Sequence, residues 1–311
     1  MRMLHQCALL LLPFLGTVSQ LCVAQNLAPR AYLITPTHAN AVTVTWSFYD
    51  GGIGFNGVVP ITNGNGTFSV PSIVYTHSFS FFGRSANVNV ALPYMVGNFS
   101  GDVAGTQHTV YRSGLMDMGF RLSVNVKGGP AMTPQQFVKW KQKVVLGASL
   151  KVVAPTGQYD PEKLINPGFN KWAFKPEFGY SQRFGKWLLD GYAGVWFYTT
   201  NQRFFDIPVP APQSESPVGS FEGHLSYDFP KRGMWASLDG NLWFGGEATL
   251  NGVPNPQTRQ TASRLGGTLA IPVTSHQTLK FSYSGGTYIR FGGSWQEVSV
   301  AWQYAWLGRP K

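Results

Sequence analysis

Charge, cysteine and long apolar runs are all scarce in this 311-residue chain. Charged residues make up 12% of it while aromatics reach 14% and glycine fills 36 positions, whereas about a quarter of an ordinary soluble domain is charged. Something other than water is therefore expected to cover much of the surface. Both cysteines, Cys7 and Cys22, fall in the first 24 residues. That stretch reads as a secretory leader: Arg2 is its one charge, an apolar run spans Ala8 to Leu15, and Cys22-Val-Ala24 ends on small residues suited to cleavage. A lipoprotein signal would place a small residue before the cysteine, and Leu21 stands there instead. Cleavage would leave residues 25–311 as one domain with no thiol and no disulfide.

Beyond the leader no run approaches the roughly 18 apolar residues of a membrane helix. A closed β-barrel is the other way to cross a bilayer, and its alternating strands hide their hydrophobicity from averaging. The 24 basic residues against 14 acidic give a net charge of +10. They are spread along the chain rather than clustered, which argues against a nucleic-acid partner.

A barrel demands segments of about ten residues with period-two alternation. In Met116 to Val126, Met116, Met118, Phe120, Leu122, Val124 and Val126 share one face; Asp117, Gly119, Arg121, Ser123 and Asn125 share the other. No helix sorts residues this way. The pattern recurs at 144–152, 219–229 and 297–306, and segments of this kind number twelve: about 42–50, 70–82, 86–95, 115–126, 143–153, 172–184, 187–198, 218–229, 233–244, 262–271, 277–285 and 294–306. The expected fold is an all-β, transmembrane, antiparallel up-and-down barrel of about twelve strands with both termini on the periplasmic side.

Connection lengths orient it. Turns such as Gly83-Arg-Ser, Gly185-Lys186 and Pro230-Lys-Arg-Gly are short and belong inside, while 51–69, 96–114, 155–171, 199–217 and 245–261 are long and belong outside. The span Lys127 to Gln142 breaks the rule. Its Thr133-Pro-Gln-Gln136 reads as an N-cap, a proline at the first helical position and a glutamine three after the cap, so a short periplasmic helix is expected near 134–140 with Phe137 and Trp140 on one face. Lys139, Lys141 and Lys143 could meet lipid headgroups or simply be solvated. Aromatic residues near strand ends, among them Trp46, Trp172, Trp187, Trp196, Phe197, Tyr198, Trp302 and Trp306, suit interfacial girdles. Pro176, inside the sixth segment, suggests a local bulge.

Parity sends eleven ionisable residues inward: Asp117, Arg121, Lys151, Lys175, Glu177, Arg183, Glu222, His224, Asp228, Asp239 and Glu297. Their mixed signs allow two roles, a lumen braced by ion pairs or the lining of a solute path. His224 and Ser226 share this face, the minimum for a base-activated nucleophile and hence for an outer-membrane lipid hydrolase, though their flanking carboxylates place them in the lumen rather than against lipid. No His-Glu-x-x-His, phosphate-cradling loop or nucleophile elbow occurs. Asp160 and Glu162 are two carboxylates where calcium needs more. No cofactor or metal is expected.

Val153-Ala-Pro-Thr-Gly-Gln-Tyr-Asp160, Leu164-Ile-Asn-Pro-Gly-Phe-Asn-Lys-Trp-Ala-Phe-Lys-Pro-Glu177 and Gly191-Tyr-Ala-Gly-Val-Trp196 resemble the exported meta-pathway phenol-degradation family, whose members are often labelled transporters. Ala91-Leu-Pro-Tyr94, Arg112-Ser-Gly-Leu115 with Asp117, and Arg264-Leu-Gly266 look like that family too. The resemblance runs from Ala31-Tyr32 to Trp302-Gln-Tyr and implies an outer-membrane barrel that takes up hydrophobic or aromatic molecules, with no catalytic residue to carry over. A non-transporting barrel with a lumen plugged by its own side chains is the alternative. Outer-membrane lipids, lipopolysaccharide, small aromatic solutes and the assembly machinery are the partners such a barrel implies. Many barrels end on an aromatic residue, whereas here Leu-Gly-Arg-Pro-Lys311 follows Trp306.

Overall fold

The structure is a computed structural model and describes residues 27–54, 61–103, 105–205, 211–230 and 233–308. The proposed leader, Lys231 and Arg232 and the last three residues lie outside the described residues. The strands are β1 (Ala39–Gly54), β2 (Ile61–Phe81), β3 (Arg84–Val103), β4 (Thr106–Leu115), β5 (Met118–Lys127), β6 (Val144–Ala154), β7 (Ala173–Phe184), β8 (Trp187–Tyr198), β9 (Asn201–Phe205), β10 (Ala211–Glu215), β11 (Val218–Asp228), β12 (Trp235–Gly245), β13 (Ala248–Leu250), β14 (Val253–Asn255), β15 (Gln260–Pro272), β16 (Gln277–Ile289) and β17 (Gly292–Leu307).

Twelve of them close a barrel: β1, β2, β3, β5, β6, β7, β8, β11, β12, β15, β16 and β17 pair antiparallel in chain order, and β1 returns to β17 from Ala39 opposite Leu307 to Gly54 opposite Gly292. Each coincides with one of the twelve segments read from alternation. Burial follows parity along β7, where Ala173, Lys175, Glu177, Gly179 and Ser181 are buried and Pro176, Phe178 and Tyr180 are exposed. The outward face carries Trp46, Phe120, Leu150, Phe178, Leu238, Leu265 and Val300 in the open, as a lipid-facing surface requires.

Several strands outrun their expected ends. The loops expected at 51–69 and 96–114 are largely hairpin: β1 and β2 pair out to Ile53 and Gly64, and β4 folds back on β3 from Leu115 opposite Tyr94 to Thr106 opposite Val103. Backbone groups that leave the bilayer still gain by pairing, so ladder continues into the outer region. A small second sheet, in the order β14-β13-β10-β9, stands over the outer end. At the inner end Phe82 and Gly83 have φ of 48° and 77°, a two-residue turn with both central residues left-handed, which matches strand twist.

The inner helix, α1 (Pro134–Lys139), forms as expected. Thr133 Oγ1 accepts from Gln136 N, and the Gln136 side chain accepts from Thr133 N. Phe137 and Trp140 pack on Ile34, Met132 and Val145. Ile34 belongs to a segment with no counterpart in the sequence reading: residues 27–38 run inside the barrel. Tyr32, 1% exposed, occupies a notch where a Cβ on Gly147 or on Gly179 would lie 2.1 Å from its ring. Its hydroxyl lies 3.0 Å from Ser149 Oγ and donates to Glu177 Oε1 at 3.0 Å. Tyr192 donates nothing to this pair; its hydroxyl instead accepts from Ala31 N.

Three expectations are corrected. Trp196 is not in a girdle: it points inward, 1% exposed, into a cluster with Val153, Ala173, Val218, Trp243 and Ala262. Met116 is not on the lipid face, because the strand breaks between Leu115 and Met118 and turns Met116 into an inner apolar cluster. Pro176 makes no bulge. The β7–β8 register is the same on both sides of it, Phe174 opposite Phe197 and Glu177 opposite Gly194. The missing donor is absorbed by dropping two pairs, and side-chainless Gly194 leaves room, since a Cβ there would sit 2.8 Å from Lys175 Cε.

Gly179→Val is expected to displace the Tyr32 ring and expose residues 27–37 to protease while the barrel still migrates as a folded species on unheated gels. Tyr32→Phe should keep the segment seated but lower the unfolding free energy by about 1 kcal/mol, the usual worth of a lost hydrogen bond. A segment still protected in Gly179→Val would refute this seating.

Candidate functional site: the lumen

Eight of the eleven parity-assigned residues, together with Arg30, form two groups on one side of the lumen. Arg121 on β5 meets Glu177 Oε1 at 3.3 Å; Lys175 Nζ binds Glu177 Oε2 at 2.7 Å and Glu222 Oε1 at 2.9 Å. His224 stands 3.7 Å from Glu222 and holds Asp239 Oδ1 through Nδ1 at 2.9 Å. The ladder thus crosses β5, β7, β11 and β12, and Ser237 and Thr268 hydroxyls donate to Asp239 Oδ2. Nearer the inner end, Asp228 takes Arg183 on one oxygen and Arg30 on the other, the latter at 2.5 Å. Charges out of water need partners, and strands of constant parity deliver both signs to adjacent positions.

This wall also grips the internal segment. Arg121 Nη1 donates to Ala31 O at 3.2 Å and the guanidinium lies 4.8 Å from the Tyr32 ring centre. Arg30 stacks 4.2 Å over Trp235. Arg30 and Tyr32 were not found from the sequence, since the segment has no periodicity; the signal was two glycines, Gly147 and Gly179, facing one another on neighbouring strands.

The remaining parity residues do other things. Glu297 is 3.7 Å from Arg264 and accepts from Ser284 Oγ at 3.4 Å. Asp117 lies off the strands and fastens the outer loop, accepting from Gly157 N and Phe169 N, each at 2.8 Å. Burial pushes its carboxyl pKa up from the usual value, against the pull of those donors. Lys151 has no ion pair among the described residues; its ammonium lies 5.3 Å from the Trp196 ring centre.

His224 and Ser226 are not brought together. His224 Nδ1 belongs to Asp239, while the buried Ser226 hydroxyl and His224 Nε2 have no hydrogen-bond partner among the described residues, so no bond joins them. Asp160 is taken by Lys163 at 2.6 Å and by Glu162 N. The Lys163 bond holds its carboxyl pKa below the usual value.

Two cavities lie in the lumen beside this wall. The inner one, about 560 Å³, lies between residues 28–35 and the wall. The outer one, about 360 Å³, reaches Tyr49, Met116 and Phe169. Both are lined by Val74, Ala91, Gly119 and Lys151, so they adjoin there. Opposite the charged ladder their lining is short and mostly uncharged: Thr45, Ser47, Ser72, Thr76, Asn89, Ser282 and Ser299.

A closed twelve-strand barrel with an apolar belt and polar lumen defines a transmembrane β-barrel of the outer-membrane type. The chain belongs to the family described as "Putative MetA-pathway of phenol degradation", whose model matches residues 47–294. In fold it is similar to an outer-membrane channel of Pseudomonas putida F1, with a TM-score of 0.73 at 16% identity, covering 90% of this chain and 100% of that one. The NanC porin (TM-score 0.49, 9% identity, 85% of this chain and 98% of that one) is more distant. So is the β domain of the Bordetella autotransporter BrkA (0.47, 13%, 86% and 100%). No curated protein matches the chain.

Lys175→Met leaves Glu177 and Glu222 without their shared cation and is expected to cost about 3–5 kcal/mol, as breaking one side of a buried pair does. Denaturant titration in micelles measures it. Adding Glu222→Gln should recover part of that loss, and a strictly additive double variant would show that the ladder is not coupled.

Proposed function

We propose that this barrel is a passive outer-membrane channel for small hydrophobic or aromatic compounds, driven by the solute gradient. The observation that carries this reading is the pair of adjoining luminal cavities, whose shared lining is Val74, Ala91, Gly119 and Lys151. Bracing and passage, the two roles open for the inward charges, divide between walls. The ladder from Arg121 to Asp239 braces the lumen and holds the internal segment, while the hydroxyl-and-methyl wall opposite it borders the route. Lys151, placed at the join, is the residue of the eleven assigned to the solute path. The family description, phenol degradation, favours an aromatic cargo.

Export follows from the leader: cleavage near Gln25 would leave the mature chain starting two residues ahead of Leu27, itself a lining residue of the outer luminal cavity. Lipopolysaccharide around the outer rim and the assembly machinery are the partners this location brings.

Wild-type protein in liposomes is expected to admit phenol-sized solutes. Ala91→Trp, which fills the join of the two cavities, should reduce that flux tenfold or more with the folded gel mobility kept, and deletion of 27–33 should raise ion conductance in planar bilayers. A folded wild-type barrel that passes neither solutes nor ions would overturn the channel reading and favour a plugged structural barrel.

A further inference from the structure

At the outer end, away from the lumen, the β1–β2 and β3–β4 hairpins and the loop after β6 enclose a cavity of about 140 Å³. Its walls are Ile53, Ile61, Phe99, Val110, Leu164 and Ile165. Arg112, on its border, is committed to shaping it: Nε donates to Ile165 O at 2.8 Å and Nη1 to Tyr111 O at 2.9 Å. His108 contributes the other polar edge and is exposed. An apolar void of about 150 Å³ lined by aliphatic and aromatic side chains holds a single benzene ring, so the size and lining here suit one six-membered aromatic ring.

Ile53 and Phe99 belong to a buried cluster with Phe68, Met95, Met116, Phe291 and Trp295, and Ile61, Val110, Leu164 and Ile165 pack against it. The far side of that cluster, at Tyr49, Val70 and Met116, lines the outer luminal cavity. A file of rings connects the two sides. Phe99 stacks on Phe68 at 5.4 Å between ring centres, Phe68 stacks on Tyr49 at 4.9 Å, and Trp295 meets Phe68 edge-on at 5.1 Å. Two glycines make the file possible: a Cβ on Gly97 would lie 2.3 Å from Phe68 Cβ, and one on Gly66 would lie 2.8 Å from Phe99 Cδ1.

We propose that the cavity walled by Ile53, Ile61, Phe99, Val110, Leu164 and Ile165 is an outer capture site for a single uncharged aromatic ring, and that the Phe99–Phe68–Tyr49 file behind it is the barrier such a ring crosses to reach the lumen. This names the substrate class and entry point for the channel reading and rests on it for the crossing, but not for the binding. A phenolic hydroxyl would sit at the His108 edge, with the ring against Phe99 and the aliphatic walls. A ring entering the file replaces one aromatic contact by another of the same offset or edge-on kind, whereas an ion would shed its water there and find no counter-charge.

The test uses the full chain in detergent micelles and 4-fluorophenol followed by fluorine NMR. Saturable binding above that of empty micelles is expected for wild type. Val110→Trp and Ile165→Trp, each filling the cavity from a different element, should weaken it tenfold or more, with folding checked by gel mobility. Ala91→Trp in the lumen should leave the binding unchanged. Proteoliposomes then separate the two ideas: the filled variants should lose 4-fluorophenol entry while keeping small-ion conductance. Wild-type binding no stronger than that of empty micelles, or equal in both filled variants, overturns the capture site whatever the flux. Binding as expected with no flux in wild type leaves the site standing and removes the channel reading.

Discussion

Inside hydrocarbon no water is available to a backbone amide, so each N–H and C=O in the spanning region must be paired within the protein. Here that demand is met by one continuous ladder, closed where β1 lies against β17 along its whole length. Much else follows from the closure. An even number of strands brings the start of β1 and the end of β17 together at the inner rim, Ala39 opposite Leu307, so the residues before β1 have the inner mouth beside them. The constant two-residue period fixes which side chains face lipid and which face the lumen, and a lumen of twelve strands is too wide to be filled by small side chains alone. The chain fills part of it with residues 27–38.

That internal segment accounts for the uneven distribution of charge. The N–H and C=O of Ala31 and the side chains of Arg30 and Tyr32 are polar groups taken out of water, and they are satisfied by Tyr192, Arg121, Asp228 and Glu177 on β5 to β11. Each of those groups must in turn be neutralised, which draws in Lys175, Glu222, His224 and Asp239 as successive partners. The opposite strands, β1, β2, β16 and β17, touch the segment at Thr35, whose hydroxyl lies 2.6 Å from Ser78 Oγ, and besides Lys280 and Glu297 their lining is mostly hydroxyls and small side chains. The charged ladder and the uncharged route are therefore two consequences of one packing decision.

The barrel was legible in the sequence because alternation is local: each strand declares its two faces without reference to its neighbours, and all twelve were found. Parity likewise sorted Lys175, Glu177, Glu222 and His224 inward. What alternation cannot express is a break in its own period. Met116 was sent to the wrong face because the chain kinks at 116–117 to let Asp117 hold the outer loop. Trp196 was placed in a girdle because aromatic character at a strand end suits either an interface or an inner cluster, and only its neighbours across β6, β11 and β12 decide. The internal segment was missed since its evidence is distributed: Tyr32 is explained by Gly147 and Gly179, more than a hundred residues away.

The lumen charges do not by themselves set what passes. Most are locked in pairs, and paired charges offer a passing solute little net field. The stronger discrimination lies at the outer end, where Phe68, Phe99, Met116 and Trp295 form an apolar barrier with a ring-sized cavity before it and hydroxyl-lined space behind it. Such an order suits a molecule that is mostly ring with one polar edge. Its apolar face gains at the first step, where an ion or sugar would lose hydration, and its hydroxyl finds Ser and Thr partners at the next. A barrier of side chains rather than backbone can also part without breaking the ladder, so the closure that the bilayer demands and the opening that transport demands do not compete.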